Sequence, residues 1–500
     1  LQESGLNPYL FELVNIREHV SWVHMSEPED ATQKAIDLLK MNVAKVRKLL
    51  PQQREKIDVT KSALVIGGGP AGLYAADNLV NQGMDVFLVE KEAKLGGSIN
   101  KISRKLLLPN ELQVVSRVDD IIAKIVKNKG IKVYTSAHID DISGFVGNYS
   151  VTIATGDTTE KVKVGGIVVA TGVAQDADIS SVIKEKPAKV YTQEEFEELL
   201  DAGNLDGIKN IGFIQCTNQR HDGNITGDFP NCSGICCKIT LKQAKLFHEQ
   251  VPNGNVMIIQ RGMQLSGDIQ NEILFDEVQQ FAAITRYSPE NYPTISPLED
   301  GINLEFNERN IGEDLSVKLD AVVLATPYRS MPNTKDLAMQ LKVPVTHDGF
   351  FLEAHVKLRP VDFATEGVFL AGGAQWPKTL EDSALQGLAA AGRVTGLLAR
   401  GYVEVEGITA KVDQDICIGC GKCAVVCPYS AIEMVEKTVI IDMEPVKLLK
   451  AHVIDAMCKG CGTCVGECPT HAVDQKHFKT DQISDMIKAL FPNPDEQCCM

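Results

Sequence analysis

Cysteine carries the densest chemistry in this chain. The run Cys417-x-x-Cys420-x-x-Cys423-x-x-x-Cys427-Pro428 returns with identical spacing as Cys458-x-x-Cys461-x-x-Cys464-x-x-x-Cys468-Pro469. A doubled run of this kind supplies the eight thiolates of two [4Fe–4S] clusters, three cysteines of one run holding one cubane while the fourth crosses to the other. The expected ligands are Cys417, Cys420, Cys423 and Cys468 for cluster one, and Cys458, Cys461, Cys464 and Cys427 for cluster two. Gly419, Gly421, Gly460 and Gly462 let the backbone wrap the clusters and turn N–H groups toward their sulfurs. Zinc is the alternative use of such thiolates, and eight cysteines in a doubled ferredoxin pattern argue against it. A further four, Cys216, Cys232, Cys236 and Cys237, fall in a 22-residue window and match the four thiolates of a third [4Fe–4S] cluster. Their spacing is unusual, so a redox disulfide or buried free thiols stay open as alternatives; the lack of C-x-x-C weakens the disulfide. Cys498 and Cys499 have no partner spacing and are left unassigned.

A glycine pattern supplies the second chemistry. Gly67-Gly68-Gly69-Pro70-Ala71-Gly72 satisfies G-x-G-x-x-G between an apolar strand, Ala63 to Ile66, and an alanine-rich helix. There the glycines allow the tight turn and let backbone N–H groups approach a pyrophosphate. Glu90 closes the next strand 18 residues after the last glycine, beside Lys91, where an acidic side chain accepts ribose hydroxyl hydrogen bonds. A glycine turn used only for packing is the alternative, and strand, helix and acid together argue against it. Gly96-Gly97-Ser98, Ala170-Thr171-Gly172 and the late turn Gly372-Gly373, followed by Gln375, favour FAD over NAD. These elements look like those of two-dinucleotide-domain flavoproteins similar to thioredoxin reductase, whose last turn carries Gly-Asp. Gly373 stands where that Asp would be, so another group must supply its hydrogen bond.

The elements that position these residues read as follows. Residues 1–58 form an N-terminal helical segment, with an apolar rhythm through Ile36, Leu39, Val43 and Val46 before Pro51. Residues 59–190 and 331–402 read as two parts of an FAD-binding domain, 191–330 as an NAD(P)-domain-like insertion carrying the cysteine group, and 403–500 as a two-cluster ferredoxin. Lys132 to Thr135, Tyr149 to Thr155 and Val162 to Ala170 read as strands, and residues 348–373 as a return to apolar strands. In the insertion, Cys216 follows Ile211-Gly-Phe-Ile-Gln215 where a second nucleotide loop would begin. Electrons are therefore expected from a partner or a cluster, not from a pyridine nucleotide bound there. The predicted fold is α/β: a two-dinucleotide-binding-domain flavoprotein with a C-terminal α+β bacterial-type 2[4Fe–4S] ferredoxin.

Five hundred residues, 44% of them hydrophobic, make a multidomain globular chain. Its formal charge of −16 disfavours a nucleic-acid face. No apolar run of about 18 residues predicts a membrane span. The start at Leu1 reads as a fragment or processed chain without a secretory signal, and thiolate clusters point to a reducing compartment, the cytoplasm. No Ser-His-Asp or H-E-x-x-H arrangement points to hydrolysis.

Taken together, these residues resemble the A-type subunits of heterodisulfide reductase, the flavoproteins of methanogens and relatives in other anaerobes. The local matches are Gly5-Leu-Asn-Pro-Tyr9, Asn15-Ile-Arg-Glu-His19, Ser21-Trp-Val-His24, Phe213-Ile-Gln-Cys216, Cys232-x3-Cys236-Cys237, Lys357-Leu-Arg-Pro360, Glu366-Gly367 and Ala374-Gln375-x-Pro377-Lys378. The resemblance implies that Cys216, Cys232, Cys236 and Cys237 hold the family's unusual cluster. It implies that Lys242 lies near the flavin ring, where a cation stabilises an anionic reduced flavin, and it maps a family glutamate to Glu197. A solvated surface charge is the alternative for both. The implied function is an FAD and iron–sulfur component that bifurcates electrons between a donor, ferredoxin and a disulfide or other acceptor; the alternative is a non-bifurcating electron hub. The implied partners are heterodisulfide reductase B- and C-like subunits, a hydrogenase, formate dehydrogenase or similar donor, and ferredoxin, around a dimeric core. Two departures stand out: the family's long form has an extra ferredoxin inserted in the flavin domain, whereas Gly97 to Ala170 contains no cysteine, and the family's N-terminal domain is expected to be largely missing before Leu1. Val20 also stands where many relatives have cysteine, and the chain reads as a short or split relative.

Overall fold

The computed structural model describes residues 1–500 apart from 126, 177, 180–182, 184–186, 221–230, 266–268, 289, 442–443 and 492–500. Cys498 and Cys499 thus lie outside the described residues. The chain divides into two compact units, one of residues 59–401 and one joining 1–58 to 402–500.

In residues 59–401, continuous apolar runs give parallel strands buried on both faces. Val368–Leu370, Gly166–Val169, Ser62–Ile66, Asp85–Val89 and Ile131–Tyr134 lie in that order in one five-stranded parallel sheet. A second parallel sheet runs Val190–Thr192, Ala321–Leu324, Asn210–Ile214, Asn255–Gln260 and Ala282–Arg286. A three-stranded antiparallel meander accompanies each: Ala137–Phe145, Asn148–Thr155 and Thr158–Val164 with the first, and Thr294–Leu298, Gly301–Glu308 and Glu313–Leu319 with the second. The chain passes between the halves along Val173–Gln175 and returns along Tyr328–Ser330, which pair antiparallel. The insertion is therefore a second copy of the same plan.

Two details depart from the sequence pattern. Val162 to Ala170 is two strands, because Gly165 turns the chain from the meander into the parallel sheet so tightly that a Cβ there would lie 2.2 Å from the Thr60 carbonyl oxygen. Within 348–373 only Val368–Leu370 is a strand, the remainder being turns and isolated bridges that bury Phe350, Phe351 and Phe363.

Helix Pro70–Asn81 lies against helix Leu380–Leu398 over the first sheet, with Leu73, Leu79, Ala390, Val394 and Leu398 fully buried. Burying one such leucine or valine contributes roughly 1.5–3 kcal/mol. The two helix backbones approach at Gly387, where a Cβ would sit 2.2 Å from the Ala71 oxygen, and the first helix closes on its own turn at Gly72, where a Cβ would sit 1.8 Å from the Gly67 oxygen.

In the other unit, Glu55–Asp58 pairs antiparallel with Tyr402–Val405, and helix Pro28–Val46 packs on helix Thr480–Leu490. The repeated cysteine runs lie between the two strands of a short pair, Ala410–Val412 with Val473–Gln475, and are separated from each other by a long hairpin, Ile432–Ile441 with Glu444–Val453. Among the described residues no helix is long and apolar enough to cross a membrane.

Candidate redox sites

The glycine turn leaves the Ser62–Ile66 strand of the first sheet and enters helix Pro70–Asn81 at its N-terminus, the end where backbone N–H groups favour an anion. Gly67 has φ +110°, and a Cβ there would lie 2.2 Å from the Ala170 oxygen, so only glycine lets this turn meet Ala170-Thr171-Gly172. Glu90 is buried; its carboxylate accepts the Gly68 N–H at 2.6 Å and the Glu92 N–H at 2.8 Å, which fixes it at the turn. Glu90, Lys91, His138 and Thr171 line an open cavity of about 340 Å³ beside Gly67. The Thr171 hydroxyl oxygen is buried there without a hydrogen-bond partner. A phosphate-accepting turn, an acid for ribose hydroxyls and an unsatisfied hydroxyl on one cavity fit a dinucleotide such as FAD.

Gly97 faces the glycine turn, since a Cβ on it would lie 2.8 Å from Gly69 Cα, whereas Ser98 beyond it is exposed. Gly373 adjoins Gly172. Beside Gly373, where the Asp would stand, a glutamine from another element holds this turn. Gln386, one residue before the close-packing Gly387, accepts the Gly372 N–H and donates to the Gln375 amide oxygen, both at 2.8 Å. The pair Gln375 and Gln386 is the polar equipment of this turn.

At the end of the second sheet's Asn210–Ile214 strand the chain makes an unusual loop. Cys216, Asn218 and Arg220 all have φ between +53° and +63° without being glycine, at about 1–3 kcal/mol each. Gln219 holds the loop: its amide donates to the Ala325 oxygen at 3.1 Å and toward Cys236 Sγ at 3.6 Å, while its oxygen accepts the Ser233 N–H and hydroxyl at 3.2 and 3.1 Å. That one side chain ties the Cys216 loop to the Cys232 segment and to the start of helix Cys236–Gln250. Cys216, Cys236 and Cys237 are buried, and Cys232 is half-buried. Arg220 points a guanidinium N–H at Cys216 Sγ, 3.7 Å away, and the Gly234 N–H points at Cys232 Sγ, 3.3 Å away.

Burial pushes the Cys216 thiol up to about 11. Cys236 donates to its neighbour, so its own thiol is raised while Cys237 is drawn down to about 7 by that bond. Four gathered thiols with one poised to ionise, a guanidinium and a helix N-terminus suit an anionic iron–sulfur cluster.

From Cys236 a buried polar chain leads inward. Gln193 donates to the Cys236 oxygen and the Thr240 hydroxyl at 2.8 and 2.9 Å, and Gln243 donates to the Gln193 oxygen at 2.7 Å and toward Glu197 at 3.4 Å. Glu197 is presented by helix Gln193–Ala202, started by a Thr192/Glu195 capping box, and accepts the Ser103 N–H at 2.8 Å. Burial raises its carboxyl, against the Ser103 bond and Lys242. Lys242 is paired: its ammonium lies 3.0 Å from Glu111, which also takes Lys238 at 3.0 Å and the Leu108 N–H at 2.9 Å. Burial opposes charge on Glu111, but Lys242 and Lys238 outweigh it and hold the carboxyl below its ordinary value. Glu111, Gln219 and Gln386 carry no signal in the sequence, because each acts on residues distant in the chain. Only the i, i+4 spacing of Lys238 and Lys242 hints at a shared anion.

In the cysteine-rich unit, Cys417, Cys420, Cys423 and Cys468 line one small cavity, and Cys458, Cys461, Cys464 and Cys427 line another. The sequence grouping and the spatial grouping coincide. Backbone N–H groups of Ala410, Ala431 and Ala472 point at Cys458, Cys427 and Cys468 Sγ at 3.2–3.4 Å. Among the described residues no three His, Cys, Asp or Glu side chains are arranged to hold one metal ion. A cubane instead spreads four thiolates over four irons, and these two donor sets fit it.

Residues 416–472 match the model of a 4Fe-4S dicluster domain, and residues 65–118 that of an NAD(P)-binding Rossmann-like domain. The chain is 34% identical to the second A-type CoB--CoM heterodisulfide reductase iron-sulfur subunit of Methanopyrus kandleri over 586 aligned positions, covering 99% of this chain and 87% of the relative. It is 31% identical to the A-type H(2):CoB-CoM heterodisulfide,ferredoxin reductase subunit of Methanothermobacter marburgensis, covering 99% and 86%. Alignments this much longer than 500 residues leave gaps in this chain. Among solved structures, thioredoxin reductase of T. acidophilum is similar with a TM-score of 0.45 and 14% identity, covering 67% of this chain and 97% of that one.

Proposed function

The chain belongs to the family of A-type heterodisulfide reductase subunits, and from that premise we propose that it is the electron-splitting component of a larger redox complex. It is an oxidoreductase whose cofactors are FAD and [4Fe–4S] clusters. When bound, FAD supplies the conversion between a two-electron donor and single electrons, and the clusters supply one-electron relays.

One observation carries the reading. At the end of the second parallel sheet, where a Rossmann turn would cradle nucleotide phosphates, this chain places Cys216 in a strained loop tied to Cys232, Cys236 and Cys237. A thiolate set in place of a phosphate cradle favours electrons entering this half through a third cluster. The remaining residues do the holding. Gly67, Gly69, Pro70, Ala71 and Gly72 receive the pyrophosphate on a helix N-terminus, and Glu90 orients the ribose. Lys242, its charge shared with Glu111, and Glu197, biased toward its protonated form by burial, supply a cation and a proton-holding group at the far end of the glutamine chain from Cys236.

The partners proposed are B- and C-like subunits carrying the disulfide-reducing site, a hydrogenase- or formate-dehydrogenase-type donor, and ferredoxin, around a dimeric core. The test is anaerobic purification with flavin and iron quantified, followed by a reductive titration. About one FAD and about twelve irons per chain, four for each of three cubanes, with the flavin taking both electrons at nearly one potential, support electron splitting. About eight irons would remove the third cluster. Two well-separated one-electron flavin steps would favour sequential transfer through a hub.

A further inference from the structure

The two cysteine runs are related by a shift of 41 residues, and the backbone keeps the relation. Gly419 and Gly460 have φ +73° and +62°, Gly421 and Gly462 have +73° and +78°, and Ser430 and His471 have +50° and +56°. The approach of a strand to each cluster loop is repeated as well. A Cβ on Gly419 would lie 2.1 Å from the Leu449 oxygen, and one on Gly460 would lie 2.5 Å from the related Ile408 oxygen. Ala451 lines the cavity of cluster one as the related Ala410 lines that of cluster two.

Between these matched neighbours the symmetry breaks. Thr409 in the half facing cluster two is fully buried, and its hydroxyl has no hydrogen-bond partner. The related residue facing cluster one is Lys450, only 6% exposed, whose ammonium donates to the backbone oxygens of Gln414 at 2.8 Å and Cys417 at 2.5 Å. A cation is thereby fixed against the peptide of a cluster-one cysteine.

The other charged and polar groups do not cancel this difference. Lys459 lines the cavity of cluster two where Ile418 lines that of cluster one, but Lys459 is exposed, and water and salt screen its field. Gln475, related to Met434, gives cluster two a neutral amide that donates to the Gly460 oxygen at 3.2 Å. Asp413 and Asp415 precede Cys417 on the exposed surface, and Asp455, preceding Cys458, is 3.9 Å from Lys476. The one buried charge that distinguishes the halves among these groups is Lys450.

We propose that Lys450 tunes the ferredoxin module by making cluster one, held by Cys417, Cys420, Cys423 and Cys468, the higher-potential cubane. This rests on the reading that both cysteine sets hold [4Fe–4S] clusters. Adding one electron to a cubane lowers its net charge by one, with no bond made or broken, and a nearby buried cation stabilises the reduced form. With both clusters bound, an electron on this module would rest mainly on cluster one, and cluster two would serve as the lower-potential relay. Lys450 is a positioning and tuning residue, since it touches a ligand's backbone and not the reacting partners.

The test is a redox titration of the full chain, purified anaerobically and followed by electron paramagnetic resonance. Cys420→Ser and Cys461→Ser assign the waves of clusters one and two. Lys450→Gln should move the cluster-one wave to lower potential and leave the cluster-two wave in place, whereas Lys450→Arg should keep the parent value. Lys459→Gln should move neither wave. If Lys450→Gln does not assemble, Thr409→Lys gives the reciprocal reading, raising the cluster-two wave. An unmoved cluster-one wave in Lys450→Gln, or an equal effect from Lys459→Gln, would overturn the assignment. Absence of two cubane signals in the parent chain would instead overturn the ligand reading beneath it.

Discussion

Glu111 shows how much one residue can set. It is a buried carboxylate between Lys238 and Lys242, each of the three side chains 9% exposed or less. Its carboxyl is held below the ordinary value, so folding favours the ionised form. That stabilisation is fully present above about pH 4.3, the usual glutamate value, and is lost as pH falls through the lower folded value. Glu111→Gln leaves two buried ammonium groups without their anion, an imbalance that costs about 3–5 kcal/mol. The expected outcome is a thermal midpoint well below the parent's at neutral pH, with the gap closing in acid as the parent loses the same contribution. A midpoint equal to the parent's at pH 7 would show that the lysines find other anions. The pairing is only half legible in the sequence: the i, i+4 spacing of Lys238 and Lys242 hints at a shared anion, but that anion lies far earlier in the chain, at the start of helix Pro109–Ile125.

At the scale of elements, legibility follows the range of the interactions. The glycine turn, Glu90 and both cysteine runs stand at fixed offsets within one strand–turn–helix–strand unit or one repeated run, and that spacing announces them. Strand Ala137–Phe145 is hidden, because Asp140 and Asp141 interrupt its alternation and a bulge between Ile139 and Asp141 shifts its register. Gly387 is equally silent, since what it touches is the Ala71 backbone across a helix pair. Backbone atoms cannot swing aside as a side chain can, so Gly387→Ala must push helix Leu380–Leu398 away from Pro70–Asn81. Overpacking of this kind costs about 1–3 kcal/mol, and here it also displaces the N-terminus proposed to receive the pyrophosphate. We expect a lower flavin-to-protein ratio along with a lower thermal midpoint. Gly392→Ala, on the same helix with nothing within 4 Å of the added methyl, should keep its flavin and gain up to about 1 kcal/mol from helix propensity. Equal flavin retention in the two variants would mean that the helix contact does not set the site.

At the scale of the whole molecule, the first 58 residues form one compact unit with residues 402–500, not with the sheets that follow them in sequence. Ile36, Leu39, Val43 and Val46, the apolar rhythm of helix Pro28–Val46, stay exposed, and polar contacts of Lys45 and of the segments flanking the helix tie it into the unit instead. The Tyr9 hydroxyl meets Glu406 at 2.5 Å, and the Gln482 amide donates to the Lys48 oxygen at 2.8 Å. Lys45 is 1% exposed; it reaches Glu12 at 2.7 Å and lies 3.8 Å from the centre of the Phe478 ring, and Glu12 also meets His477 at 2.9 Å. Removing residues 1–58 would strip all of these from the ferredoxin unit and leave strand Tyr402–Val405 without its antiparallel neighbour. Residues 59–401 would keep both parallel sheets and their cores. Heating the truncated chain should therefore bleach the iron–sulfur absorbance at a lower temperature than in the full chain, while flavin release, read by fluorescence, keeps its temperature. Should flavin release move instead, and bleaching stay, the N-terminal segment would be serving the flavin half and the division of the chain into these two units would not describe how it unfolds.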